Sequence, residues 1–143
     1  MIDVSDKPEV FREATAKGII KLKAKTIELI KEGRTTKGDP LYTARIAGTL
    51  AAKKTSDLIP LCHPLPLTNI NINAKIADNS VVEVTATVKT KAQTGVEMEA
   101  LTAVSIALLT VWDMTKQYEK DPEGQYPFTA IEKIHVISKL KKA

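Results

Sequence analysis

The stretch NININAKIADNSVVEVTATV, residues 69–88, decides the fold. Ile70, Ile72, Ala74 and Ile76 alternate with polar neighbours, and Val81 to Val88 alternates in the same way after a turn at Asp78-Asn79. A period of two with one apolar face predicts two half-buried strands joined as an antiparallel hairpin. On the C-terminal side lies TGVEMEALTAVSIALLTVWDMTK, residues 94–116. This reads as the longest helix, opening at Thr94-Gly95 and running to about Lys116. Its centre is apolar nearly all round, which predicts burial against the sheet and against a further element. Phe128 to Leu140 alternates again and predicts a last strand, with Ile131, Ile134, Val136 and Leu140 contributing apolar positions.

On the N-terminal side, Asp39-Pro40 is an N-cap followed by a first-turn proline. From it Leu41, Ala44, Ile46, Ala47, Leu50 and Ala51 predict a helix to about Lys54. One side of it is small (Ala44, Ala47, Gly48, Ala51), which suits close helix packing. Pro60, Pro64 and Pro66 then force an irregular loop. Ala24 to Glu32 reads as a short amphipathic helix stopped by Gly33. Arg12 to Lys23 contains GIIKL, a short strand, and residues 1–10 read as extended. Mixed helices and antiparallel strands predict an α+β sandwich, with helices packed on one face of the sheet, in one domain spanning 1–143.

The chain has 143 residues, 43% hydrophobic and 27% charged. That excludes a disordered or collagen-like chain. A single cysteine excludes a disulfide framework within the chain and suits a reducing compartment. The uncharged run Ala100–Trp112 is short of the roughly 20 residues of a membrane span. The N-terminus is charged from its third residue and lacks a signal-peptide core. A cytoplasmic protein without a membrane partner is expected. The net charge of +4 is only mildly basic. Lysines cluster at 21–25, 53–54 and 139–142, read as solvated faces and a frayed tail. The sharper reading is attraction of a polyanion or a phosphorylated small molecule. One Trp, three Tyr and two Phe are too few and too scattered for base-stacking platforms, so no nucleic acid is expected.

Polar chemistry gathers in Lys37-Gly38-Asp39, Cys62-His63, Glu97-Met98-Glu99, and Asp113 with Lys116. Each group has an ordinary reading: a helix cap, a buried thiol beside a satisfied histidine, glutamates favouring a helix dipole, and a helical i,i+3 ion pair. His63 stands out because prolines hold it in a rigid loop, where a histidine can act as general acid or base. A metal site at Cys62-His63 lacks a second ligand pair, and neighbouring residues in an extended loop point opposite ways. Glu99 and Asp113 lie about 21 Å apart along an ideal helix and within about 40° of one face. One small site in one subunit cannot easily use both. Two helices paired antiparallel across a two-fold would bring the two ends together.

Three stretches carry a resemblance: MIDVSDKP, KGDPLYTARIAGTLAAKKTSDLIPLCHPLPL and VKTKAQTGVEMEALTAVSIALLTVWDMTK. Together, from residue 1 to about 120, they closely resemble the MoaC family of molybdenum cofactor biosynthesis. The resemblance implies a ferredoxin-like fold and a homohexamer, a trimer of dimers with sites at the dimer interface. It implies a lyase that converts a 3′,8-cyclised dihydroguanosine triphosphate to cyclic pyranopterin monophosphate and pyrophosphate. No cofactor and no protein metal site are expected, since the sequence shows no dedicated carboxylate cage; magnesium could help through the triphosphate. By motif, Asp113 and Lys116 look like the catalytic acid/base pair. Leu61-Cys62-His63 and Met98-Glu99 look like substrate-contacting segments with Glu97 beside them. Lys37 and Arg12 match basic site residues, and His63 and Lys37 join the catalytic set. Many members end in a Gly-Gly-Lys-Ser-Gly-type tail with a site lysine. This chain ends HVISKLKKA, so Lys139, Lys141 or Lys142 would have to substitute. Two other classes fit the sequence less well: a basic nucleotide- or RNA-binding module, and an inactive homologue serving as an assembly partner. The few aromatics oppose the first, and the joint presence of Lys37, His63, Glu99, Asp113 and Lys116 opposes the second.

Overall fold

The computed structural model describes residues 1–143. Its elements run β1 (Val10–Lys21), α1 (Ala24–Lys31), α2 (Pro40–Lys53), α3 (Thr55–Leu58), β2 (Leu67–Asp78), β3 (Val81–Ala92), α4 (Glu97–Glu119) and β4 (Ala130–Lys142). The strands form one sheet in the order β2-β3-β1-β4, every neighbour antiparallel. This is the β-α-β-β-α-β arrangement of a ferredoxin-like sandwich. The expected hairpin sets Ile70 against Val88, Ile72 against Ala86 and Ala74 against Val84. Their shared face is covered by α2 and α4, and Val82, Val84, Ala86 and Val88 are fully buried. The opposite face is a polar ladder, with Thr15 bonded to Thr87 at 2.9 Å and Lys17 paired with Glu83 at 3.1 Å.

β1 is a 12-residue central strand, longer than the GIIKL motif implied. Its inward side is Ala14, Ala16, Gly18 and Ile20, mostly too small to register as an apolar face. That smallness lets α4 approach. A Cβ on Gly18 would sit 2.9 Å from the side chains of both Leu108 and Ile134. α2 begins as expected: Asp39 Oδ1 accepts the N–H groups of Leu41 at 2.9 Å and Tyr42 at 3.2 Å, with Pro40 following. Its small side faces α4, where a Cβ on Gly48 would lie 2.5 Å from Ile72 Cδ1 and 2.9 Å from the Ala103 carbonyl. Ile46 and Leu50, counted above among its apolar positions, point outward with Tyr42 and are about half exposed.

α4 starts at Glu97, two residues after the expected Gly95, and continues to Glu119. Its length and hydropathy pass for a membrane span, yet Ala100, Ala103, Val104, Ala107, Leu108 and Val111 are buried in the fold. Glu119 is fully buried without a cation. It accepts from the Lys23 N–H at 3.1 Å and from the hydroxyls of Thr26 and Thr129, the latter at 2.6 Å. The N-cap of α1 has no side-chain cap of its own, so α4 supplies one across the fold. The lysines at 139–142 do not fray. β4 pairs with β1 as far as Lys142, with register shifts around Val136–Ser138 and Glu132–His135 and Lys133 at φ 59°. Those shifts break a strict alternation.

Candidate active site

The candidate residues fall into two groups at opposite ends of α4. At its N-terminal end, the turn closed by Cys62 N–H to the Ile59 carbonyl (3.1 Å) presents Leu61, Cys62 and His63 to a cavity of about 320 Å³. Glu97, Met98 and Glu99 line the facing wall. Cys62 and His63 therefore share one cavity, contrary to the opposite orientations expected of an extended loop, because the turn is not extended. The N-terminal segment closes the cavity through Ile2, Val4 and Lys7, which the residue-by-residue reading missed. The matched motif MIDVSDKP was the available signal. His63 Nε2 lies 2.7 Å from the Ile2 carbonyl. A carbonyl only accepts, so Nε2 carries the hydrogen, and in the neutral ring Nδ1 keeps the lone pair.

The two glutamates differ. Burial, opposed by its own N–H and aided by the charge of Glu97, pushes the Glu99 carboxyl above the ordinary glutamate range. Glu99 is only 4% exposed. Burial also pushes Glu97 upward, but Lys139, its own N–H and Arg12 outweigh it and hold that carboxyl below the ordinary range. Lys139 Nζ is 2.6 Å from Glu97 Oε1. The Glu97 carboxylate curls over Gly95, where a Cβ would come within 2.0 Å of Oε2. Arg12 donates to the carbonyls of Ala92 and Gln93 at 3.2 Å each. Burial, then the charge of Glu99, pushes the Cys62 thiol up, which disfavours a thiolate.

At the other end, Asp113 is the centre of a three-residue ion cluster. Lys116 Nζ donates to Oδ1 at 3.0 Å, and Lys37 Nζ donates to Oδ2 and to the Asp113 carbonyl at 3.1 Å each. These two cations hold the Asp113 carboxyl below the usual aspartate range, and Asp113 in turn raises the Lys116 ammonium. The cluster lies open to solvent, and none of its three residues lines the walled cavity at the other end of the helix. A further groove between α2 and β2 is lined by Tyr42, Arg45, Ile46, Leu50 and their neighbours, and Arg45 is the one permanently charged group there. No three His, Cys, Asp or Glu side chains converge as a metal site requires.

A sequence profile described as the MoaC family matches residues 1–141. A protein of Sulfolobus acidocaldarius named "Probable cyclic pyranopterin monophosphate synthase" is 59% identical over 141 residues, covering 99% of this chain and 98% of its own. Proteins of the same name from Thermococcus kodakarensis and Pyrococcus furiosus are 57% and 55% identical, again over 99% of this chain and 90% of theirs.

Proposed function

The chain belongs to the MoaC family, and from that premise we propose that it is a cyclic pyranopterin monophosphate synthase, a lyase of an early step in molybdenum cofactor biosynthesis. The match over residues 1–141 carries this reading. The substrate in this reading is a 3′,8-cyclised dihydroguanosine triphosphate, and pyrophosphate is the second product. The whole chain acts as one catalytic domain in the cytoplasm, with neither nucleic acid, membrane nor resident cofactor.

The residue roles in this reading come from the family motif, placed on the geometry of the site. Forming the cyclic phosphate requires a substrate hydroxyl to attack the α-phosphorus while the P–O bond to the β-phosphate breaks. The hydroxyl proton passes to a base and the leaving oxygens need cations. Asp113 is assigned the base and Lys116 the acid by motif. In the free protein their ion pair holds the one ionised and the other protonated and so weakens both, and substrate phosphates that compete for Lys116 and Lys37 loosen the pair for proton transfer. Lys37 steadies the pair and offers charge to phosphate. His63 Nδ1 is available for the proton transfers of ring opening and closure. Leu61, Cys62, Met98 and Glu99 form the wall for the ring system, and Glu97 holds Lys139 and lies beside Arg12 until a triphosphate competes for them. Its contact with Glu97 makes Lys139, among Lys139, Lys141 and Lys142, the one this reading favours as substitute for the lysine of other members' glycine-rich tail.

The assembly in this reading is a homohexamer, a trimer of dimers with each site across a dimer interface. The support is geometric: the walled cavity and the open ion cluster lie about 21 Å apart along one helix, so neither end is a complete site. Incubation with the cyclised triphosphate should release pyrophosphate stoichiometrically with cyclic pyranopterin monophosphate. Release of no pyrophosphate by the folded protein would overturn the assignment.

A further inference from the structure

Lys37 reaches Asp113 from a loop 76 positions earlier in the chain. Nothing in the loop itself explains how the ammonium is aimed. Residues 32–39 link α1 to α2 through Gly33 and Gly38, at φ 67° and 108°, with a turn closed by Gly38 N–H to the Thr35 carbonyl at 3.2 Å. Such a loop has freedom unless something ties it down. The tie comes from α4. The Tyr118 hydroxyl accepts the Thr36 N–H at 2.8 Å and lies 2.9 Å from Thr36 Oγ1. Gln117 Nε2 reaches the same Oγ1 at 3.4 Å. Tyr118 is five residues beyond Asp113 on the same helix, and Thr36 is the residue before Lys37.

We propose that Tyr118 is a positioning residue: its hydroxyl clamps the Thr36 peptide to α4 and thereby delivers the Lys37 ammonium to Asp113. This rests on the reading that Lys37 and Asp113 serve the reaction. The hydrogen bonds from Thr36 also lower the Tyr118 phenol from its ordinary range, in keeping with an oxygen that mainly accepts. Gln117 only assists, since its contact goes to the side-chain oxygen alone.

The test is a double-mutant cycle of Tyr118→Phe and Lys37→Ala in the assembled protein. It has two readouts: steady-state kinetics, and titration of the Asp113 carboxyl by carbon-13 NMR. The charged groups facing Asp113 are Lys116 on its own helix and Lys37 from the loop, with Tyr126 beside Lys116. Tyr118→Phe should lower kcat by about 10- to 100-fold with KM within about threefold, the usual consequence of misplacing a reacting group. It should raise the Asp113 pKa in the same direction as Lys37→Ala. On a Lys37→Ala background it should do nothing more, because coupled residues are not additive. Thr36→Val, which keeps the backbone donor, should give a smaller loss of the same kind. An unmoved Asp113 titration in Tyr118→Phe, whatever its thermal stability, overturns the proposal. So do kcat losses that multiply across the cycle. Full activity in Lys37→Ala with a shifted Asp113 titration would instead refute the catalytic reading of Lys37 and leave the clamp standing.

Discussion

The two ends of α4 are built on opposite physical plans. The N-terminal end is walled by the proline-bounded loop and the N-terminal segment, and it holds a buried carboxyl pushed toward protonation. The C-terminal end has no walls; its carboxylate is open to solvent and kept ionised by two ammonium groups. One end shapes and excludes, and the other supplies charge. Neither plan can do the other's work, since a bare ion cluster selects no ring system and the walled cavity, with His63 and a buried Glu99 for proton traffic, holds no paired ammonium groups for a triphosphate. In the proposed reading, the difference makes the two ends of one chain complementary halves of a shared site.

The sharpest break of this comparison is to disarm the charged end. Asp113→Asn and Lys116→Ala should each lower kcat by about 10²- to 10⁴-fold, the span of general acid–base contributions. Their thermal midpoints should stay within about 2 °C of wild type, because exposed positions away from the core contribute little to stability. Pyrophosphate release near the wild-type rate from either variant would detach the charged end from the chemistry.

Mixing tests whether the halves meet between chains. Glu99→Gln and Asp113→Asn should each be inactive alone. After subunit exchange, up to about a quarter of wild-type sites should return, because each mixed dimer carries one site with both lesions and one with neither. Native mass spectrometry of tagged chains establishes that exchange occurred. Activity that stays at background in confirmed mixed dimers would place both residues in one chain's site.

A smaller effect separates the two carboxyls by stability. Glu99 titrates higher folded than unfolded, so the folded protein is relatively favoured below the unfolded pKa, and that advantage is lost as pH rises through the folded one. Wherever the buried Glu99 carboxyl is ionised, it is a burden on the folded state. Glu99→Gln should therefore melt about 2–4 °C higher than wild type at pH 7, and the margin should vanish in acid. Differential scanning calorimetry at pH 7 and pH 4 checks it; a constant margin would show that burial of charge is not the cause. The smallest effect belongs to Cys62. Cys62→Ser should keep about half or more of the activity, since a thiol pushed up in pKa is a poor nucleophile. Complete loss in a folded variant would give the walled end a covalent role that its geometry does not suggest.

The hairpin, the Asp39-Pro40 cap and the long helix were legible because period-two and period-3.6 patterns survive when one face is buried. β1 was only half legible: Ala14, Ala16 and Gly18 pack tightly but carry little hydropathy. β4 lost its alternation to two register shifts. Ile46 and Leu50 misled in the other direction, because apolar identity does not say which face of α2 meets the core. In the site, the Asp113–Lys116 pair followed from spacing, and its distance from Glu99 along the helix could be computed in advance. The arrival of Lys37 was available only through the family motif, since a contact across 76 positions has no local signature. The tie between His63 and the Ile2 carbonyl could not be computed, nor could the meeting of Lys139 with Glu97, both of which depend on how the sheet edge and the termini fold back.

Glu119 carries a consequence for how the molecule opens. Its carboxylate binds the start of α1 through Lys23 and Thr26, and the approach to β4 through Thr129, while itself standing in the last turn of α4. Three segments distant in sequence share one buried acceptor. None of them can come loose without taking a hydrogen-bond partner from that buried acceptor. The Lys23 amide, which at an ordinary helix start would exchange with solvent freely, is thereby slaved to the last turn of the longest helix. In hydrogen exchange the two should open as a single unit, so that the end of α4 bearing Asp113 and Lys116 unravels only when the far edge of the sandwich does.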